Sequence, residues 1–165
     1  MIKLINGRGQ LGTILSEKIN GVYSEKEIFI YHTWNIDDKS RKAQQSEYNK
    51  FVKFVLNNKD NKIIFISTNS QKDNWYNYYK HLSEAFLITN GEKHVIIRLP
   101  TLIGKGVFLK LKKEEIHPYG FFNLMSIEKA AEIIIDKIFY EGKIKSFHII
   151  GETISAENIK KILCL

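Results

Sequence analysis

The sequence predicts an α/β protein in three layers, a mostly parallel sheet covered on both faces by helices. Three observations predict it. Short, almost wholly apolar runs recur and end in turn residues. Segments with helical spacing separate them. The first run stops directly at Gly7-Arg8-Gly9-Gln10-Leu11-Gly12. Continuous apolar strands that alternate with helices argue for parallel strands buried on both faces. In such a sheet, ligands bind at the carboxyl ends of the strands.

Each element follows from its residues. Ile2 to Ile5 is apolar and ends at Asn6-Gly7, a buried strand. Leu11, Ile14, Leu15 and Ile19 share one helical face, and Asn20-Gly21 ends that helix. Glu27 to Trp34 is rich in aromatic and β-branched residues, a second strand. Tyr48, Phe51, Val52 and Val55 line a helix from about Ser40 to Leu56. Lys62 to Ser67 is the clearest buried strand, and a helix follows from about Asn74 to Thr89. His94 to Leu99 is a strand stopped by Pro100, with a loop and an edge strand at Val107 to Leu111 after it. Ser126 caps a helix from Ile127 to about Phe139 with Glu128 in its first turn. Phe147 to Ile150 is a last short strand, and Ser155 caps a final helix.

The 165 residues suit one domain spanning 1–165. Hydrophobic residues at 44% and charged residues at 26% exclude a disordered tail, a collagen-like repeat and a disulfide scaffold. Lys+Arg 25 against Asp+Glu 18 leaves a net charge of +7, which suits an anionic partner. The lysines are spread over all segments, with no RNP-type aromatic motif and no helix-turn-helix, so nucleic acid is not the expected partner. The lone Cys164 forms no internal disulfide, and no run approaches the roughly 18 apolar residues that cross a bilayer. The expectation is a cytoplasmic protein without membrane insertion. Zinc-type Cys/His spacing is missing, so no metal is expected.

Two motifs sit at predicted strand ends. G-x-G-x-x-G between a strand and a helix lets the backbone approach a pyrophosphate, and the helix N-terminus offers amide hydrogens and partial positive charge. Arg8 inside that turn either reaches a ribose 2′-phosphate, favouring NADP over NAD, or is a solvent-exposed arginine. The Lys62–Ser67 strand runs into Thr68-Asn69-Ser70, and Tyr76-x-x-x-Lys80 follows. Positions four apart share a helix face, so Tyr76 and Lys80 are expected to point together at the Thr68 hydroxyl. A lysine ammonium beside a phenol lowers its pKa from about 10.

With these residues, the chain resembles the extended short-chain dehydrogenase/reductase (NAD-dependent epimerase/dehydratase) family. The resemblance covers most of the chain: the Gly7/Gly9/Gly12 turn, Ser67-Thr68, Tyr76/Lys80, the Arg98–Gly106 segment and the Phe147–Gly151 tail. GQLG resembles nucleotide-sugar reductases of the dehydrorhamnose type. The short span from Thr68 to Tyr76 resembles capsular reductases acting on UDP-linked 2-acetamido-2,6-dideoxy-hexos-4-uloses. The resemblance implies a Rossmann-like fold and a catalytic set of Thr68 to orient a carbonyl, Tyr76 to move a proton and Lys80 to hold the nicotinamide ribose. It implies cofactor contacts from Gly7, Arg8, Gly9, Gln10, Leu11, Gly12, His32, Ser67, Lys80 and Leu99, and substrate contacts from Asn69, Lys105 and His117. Lys110, Lys112, Lys113 and Tyr119 are further diphosphate or sugar candidates. The cofactor implied is NADP, or NAD.

The departures are equally specific. Only Asn20 to Lys26 separate the first helix from the second strand, so about two strands and a helix of the family's second- and third-strand region are missing. That removes the family's adenosine-ribose residue. The glycine turn is one residue shorter than the family's, and Asn49 is the nearest counterpart of its helix-borne asparagine. Two readings follow. One is an NADP(H)-dependent reductase or epimerase acting on a nucleotide-linked 4-keto deoxysugar in surface-polysaccharide precursor synthesis. The other is a catalytically inactive relative that binds a nucleotide, a nucleotide sugar or a partner protein. A truncated sheet leaves an open edge, so a homodimer through that edge, or through the two helices that pair in the family, is expected.

Overall fold

Five parallel strands form the main sheet of the computed structural model, which describes residues 1–91, 93–104, 113, 120–142 and 145–163. In chain order the elements are β1 (Ile2–Ile5), α1 (Gly9–Ile19), β2 (Ile28–Tyr31), α2 (Arg41–Asn57), β3 (Lys62–Thr68), α3 (Trp75–Thr89), β4 (Val95–Leu99), β5 (Thr101–Ile103), β6 (Phe121–Ser126), α4 (Ile127–Asp136), β7 (Ser146–His148), β8 (Glu152–Ser155) and α5 (Ala156–Leu163). The sheet order is β1-β2-β3-β4-β7. In register, Ile2 sits opposite Ile28, Ile28 opposite Lys62, Ile64 opposite Val95 and Ile96 opposite Ser146.

Period-two alternation divides the core in two. Ile28, Ile30, Ile64, Ile66, Val95 and Ile97 face Leu15 of α1 and Ala130, Ala131 and Ile134 of α4. Phe29, Tyr31, Ile63, Phe65 and Ile96 face Phe51 and Val55 of α2 and Tyr79 and Leu87 of α3. The second face is aromatic, with the Phe51 and Phe65 rings 4.5 Å apart.

This arrangement has a topological consequence. The steps β1→β2 and β2→β3 run in the same direction, yet α1 and α2 lie on opposite faces. The two crossovers therefore have opposite hands, although such connections are right-handed in about 98% of cases. An open sheet normally covers both faces by reversing its strand order. Here the order never reverses, and β1 is the edge strand.

Several expected bounds shift. The second strand ends at Tyr31, so His32, Thr33 and Trp34 lie in the loop after it. The α4 segment is α-helical only to Asp136 and continues in turns. The strand expected at Phe147 to Ile150 spans Ser146–His148, and a second sheet, β5-β6-β8, forms from the segment after β4, where a loop and an edge strand were expected, and from Glu152–Ser155, where no strand was expected. Its β5 and β6 are parallel and β6 and β8 antiparallel. The expected strand at 107–111 lies outside the described residues, as does Cys164. No described helix is long and apolar enough to cross a membrane.

Candidate functional site

The glycine turn forms as the motif requires. Asn6 and Gly9 take left-handed backbone with φ of 51° and 75°. A Cβ on Gly12 would lie 2.4 Å from the Gly7 carbonyl carbon, so helix and turn touch backbone to backbone. Ser40, Asn74, Ser126 and Ser155 each accept an amide hydrogen at the start of α2, α3, α4 and α5. At α1 the N-cap is Arg8, with no side-chain cap and no acidic residue in the first turn. Its first amides keep their donors and their partial positive charge for an anion.

The loop after β2 carries this turn to the rest of the site. Thr33 Oγ1 donates to the carbonyls of Ile5 and Asn6, at 2.7 and 2.8 Å. His32 hydrogen-bonds the Arg8 backbone; burial, followed by the charge of Lys80, lowers its pKa. His32 therefore stands between the glycine turn and Lys80.

Lys80 is 2% exposed. Its Nζ donates to the Ile66 carbonyl at 2.7 Å and lies 4.6 Å from the ring centres of both Trp34 and Phe65. Trp34 is fixed in turn. Its Nε1 donates to Gln44 Oε1 at 2.6 Å, and Gln44 Nε2 donates to the Asn35 and Asp38 carbonyls at 2.9 and 2.5 Å. Burial pushes the Lys80 pKa down to about 7, against the pull of Glu84 and Glu47.

The expected acidification of Tyr76 does not occur. Burial pushes its phenol up to about 12, and no lysine offsets it. The hydroxyl facing α3 also differs from the one expected. Alternation places Ser67 with Ile63 and Phe65 on the α3 face and Thr68 with the opposite set. Thr68 Oγ1 accepts the Ser70 amide at 3.0 Å, closing the turn into α3. Ser67 Oγ is buried without a hydrogen-bond partner.

Two asparagines share that condition. Asn69 donates from its backbone to the Leu99 carbonyl at 2.9 Å and from Nδ2 to the Ile149 carbonyl at 2.6 Å, tying the ends of β3, β4 and β7 together. Asn77 Nδ2 donates to Ser70 Oγ and the Lys72 carbonyl. Both keep a buried Oδ1 without a partner. Three of the five orphaned buried side-chain atoms among the described residues thus cluster at one strand end and the helix after it.

The remaining expected residues divide. Leu11 and Leu99 pack into the α1/α4 core, and the Gln10 side chain lies against Gly104. Arg8, Asn49 and Lys113 are exposed. Lys105, Lys110, Lys112, His117 and Tyr119 lie outside the described residues. Sequence reasoning missed Trp34, Gln44, Asn77 and the Glu84–Arg98 pair. Arg98 Nε donates to both Glu84 carboxylate oxygens at 3.0 and 2.9 Å, and its NH1 meets His148. The signal for Glu84 was available, since it follows Lys80 by one helical turn. A cavity of about 660 Å³ lies at the opposite ends of the strands, around Ile28, Lys62, Val95 and Tyr140, away from all of these groups.

Neither a scan of protein-family models nor a search of curated proteins finds a match. Solved structures do match. The enzyme WbmG of Bordetella bronchiseptica, in complex with NAD, superposes with a TM-score of 0.75 at 13% identity over 98% of this chain and 76% of that one. The fold is Rossmann-like. The dTDP-4-dehydrorhamnose reductase of Bacillus anthracis, in complex with NADP, matches at 0.72 and 16% identity over 99% and 81% of the two chains. The UDP-N-acetylglucosamine 4-epimerase of Methanobrevibacter ruminantium, in complex with UDP-N-acetylmuramic acid, matches at 0.74 and 12% over 98% and 80%.

Two of these structures hold NAD or NADP, and the residues of this chain fit such a dinucleotide in part. The uncapped α1 turn suits the pyrophosphate, and the orphaned Ser67 hydroxyl suits a polar group beside Lys80. The outer side of β1 offers no counterpart among the described residues.

Proposed function

We propose that the chain is an NAD(P)(H)-dependent reductase or epimerase. Its substrate on this reading is a nucleotide-linked 4-keto deoxysugar used in surface-polysaccharide precursors, and its location is cytoplasmic. The observation that carries the reading is the adjacency, through His32 and Thr33, of an uncapped glycine-turn helix and a strand-end cluster of orphaned buried polar atoms. Similarity in fold to nucleotide-sugar reductases and epimerases supports it.

A bound nicotinamide would supply or accept hydride at a sugar carbon. The chain's own groups then have separate tasks. The α1 amides would hold the pyrophosphate. Ser67, whose hydroxyl faces α3, would orient the carbonyl oxygen, Thr68 would hold the turn into α3, and Asn69 would contact the sugar. Tyr76 Oη would hold the proton that the new alkoxide takes. A phenol at about 12 is fully protonated near neutrality, which suits donation to an alkoxide and therefore the reductive direction. Lys80 would reach the nicotinamide ribose only if its seat beneath Trp34 opens. The domain would span residues 1–165 and pair as a homodimer.

That seat motivates a second reading. A lysine sealed between Trp34 and Phe65 and bonded to a backbone carbonyl is a structural amine. The chain would then bind a nucleotide or a nucleotide sugar without chemistry. Titration of the purified protein with NADPH and NADH by calorimetry tests the first reading, with saturable binding expected; its absence refutes the enzyme reading and leaves a nucleotide sugar or a partner protein as the ligand. Tyr76→Phe separates the readings. The enzyme reading expects turnover of a 4-keto nucleotide sugar to fall by at least about 100-fold, with cofactor affinity within about twofold.

A further inference from the structure

The crevice of the site lies where the loops after β1 and β2 leave for opposite faces of the sheet. A dinucleotide whose pyrophosphate rests on the α1 turn extends one nucleoside to each side of that turn. The two sides differ on this chain. On the inner side lie His32, Trp34, Ser67, Lys80 and the ends of β2 and β3. The outer side is the free edge of β1.

Among the described residues, no strand pairs with that edge. Eight residues, Asn20 to Glu27, connect α1 to β2. They are tied to the opposite end of β1: the Met1 amino group donates to the Ser24 and Lys26 carbonyls at 2.5 and 3.0 Å, and the Ile28 amide donates to the Met1 carbonyl at 2.9 Å. The loop is thus held a full strand length from the glycine turn. In a doubly wound sheet, a second strand beside β1 carries the acidic residue that binds the outer ribose. Here the residues following α1 pair on the inner side of β1 instead, because the first crossover has the opposite hand to the second.

We propose that the site grips its ligand by a single nucleotide unit, the phosphate on α1 and the nucleoside over β2 and β3, and leaves the outer nucleoside in solvent. The ligand class recognised is a ribonucleotide with a planar ring, and the second half of a dinucleotide adds little affinity. The inference rests on the cofactor-binding reading above.

The test is a pair of calorimetric titrations with reduced nicotinamide mononucleotide and NADH. The two are expected to bind within about fivefold of each other, or about 1 kcal/mol. Saturation-transfer NMR on bound NADH is expected to mark the nicotinamide protons and to leave the adenine H2 and H8 unmarked. NADH binding more than fivefold tighter, or saturated adenine protons, overturns this inference and leaves the cofactor reading standing. Failure of both ligands to bind overturns both.

Discussion

Replacing Trp34 should change the charge of a lysine that the protein keeps out of water. Lys80 is held between two rings, with one hydrogen bond to a backbone carbonyl. Its pKa lies near 7 against a usual 10.5. At 1.36 kcal/mol per unit, the site favours the neutral amine by about 4–5 kcal/mol, burial outweighing the opposing charges. The ring faces oppose this by only about 2 kcal/mol, so burial wins. Glu84 from α3 and Glu47 from α2 also favour the cation, while His32 faces it from the loop after β2. Trp34→Ala opens one wall to water, and the midpoint should rise by more than about one unit. Trp34→Leu keeps a wall without a ring face, and its midpoint should not rise. The assay is an NMR titration of the lysine Nζ and Cε resonances. Stability provides a second readout. The unfolded chain binds more protons than the folded one between about pH 7 and 10.5, so the stability from Lys80 is lost as pH falls through that window. Tyr31 and Tyr76, both raised to about 12, act in the opposite sense above pH 10, so the useful range is pH 7 to 9.5. An unchanged midpoint in a folded Trp34→Ala protein would refute the reasoning.

Other groups give further tests. Gly12→Ala forces a Cβ into the Gly7 backbone and should destabilise by about 3 kcal/mol, whereas Gly9→Ala meets open space and carries only the strain of a positive φ, about 1 kcal/mol; equal urea midpoints would contradict this. Glu84→Gln leaves the Arg98 guanidinium unpaired and should destabilise by about 3 kcal/mol, while Glu84→Leu with Arg98→Met should recover most of that in the same assay. His94 accepts the Ile63 amide on Nδ1 and is held near pKa 4 by burial, then by Lys145 and Lys93. The unfolded chain takes up that proton first, so stability should fall by about 3 kcal/mol from pH 6.5 to 4, with His94→Gln lacking this slope.

Much of the fold is legible in the chain because its signals are local. Apolar runs such as Ile63–Ile66 give the strands, and Ser40, Asn74, Ser126 and Ser155 cap the four helices that follow them. The small sheet was not legible. Its strands are short, and Phe121 and Phe122 show no clean alternation; the Asn123 side chain of β6 donates to and accepts from the Gly151 backbone just before β8, a contact no local spacing predicts.

For the site, sequence alone determined which residues stand at strand ends and in the helix that follows: the glycine turn, Ser67-Thr68, and Tyr76 and Lys80 on α3. Spacing along one strand or one helix decides those positions, and spacing is written in the chain. Only the tertiary structure decided their chemistry. Lys80 lost its proton affinity because Trp34, held by Gln44 of α2, and Phe65 of β3 exclude water from it, and burial raised the Tyr76 phenol. Tertiary structure also decided that β1 is an edge, since the hand of a crossover depends on which face α1 covers and no short stretch of sequence specifies that.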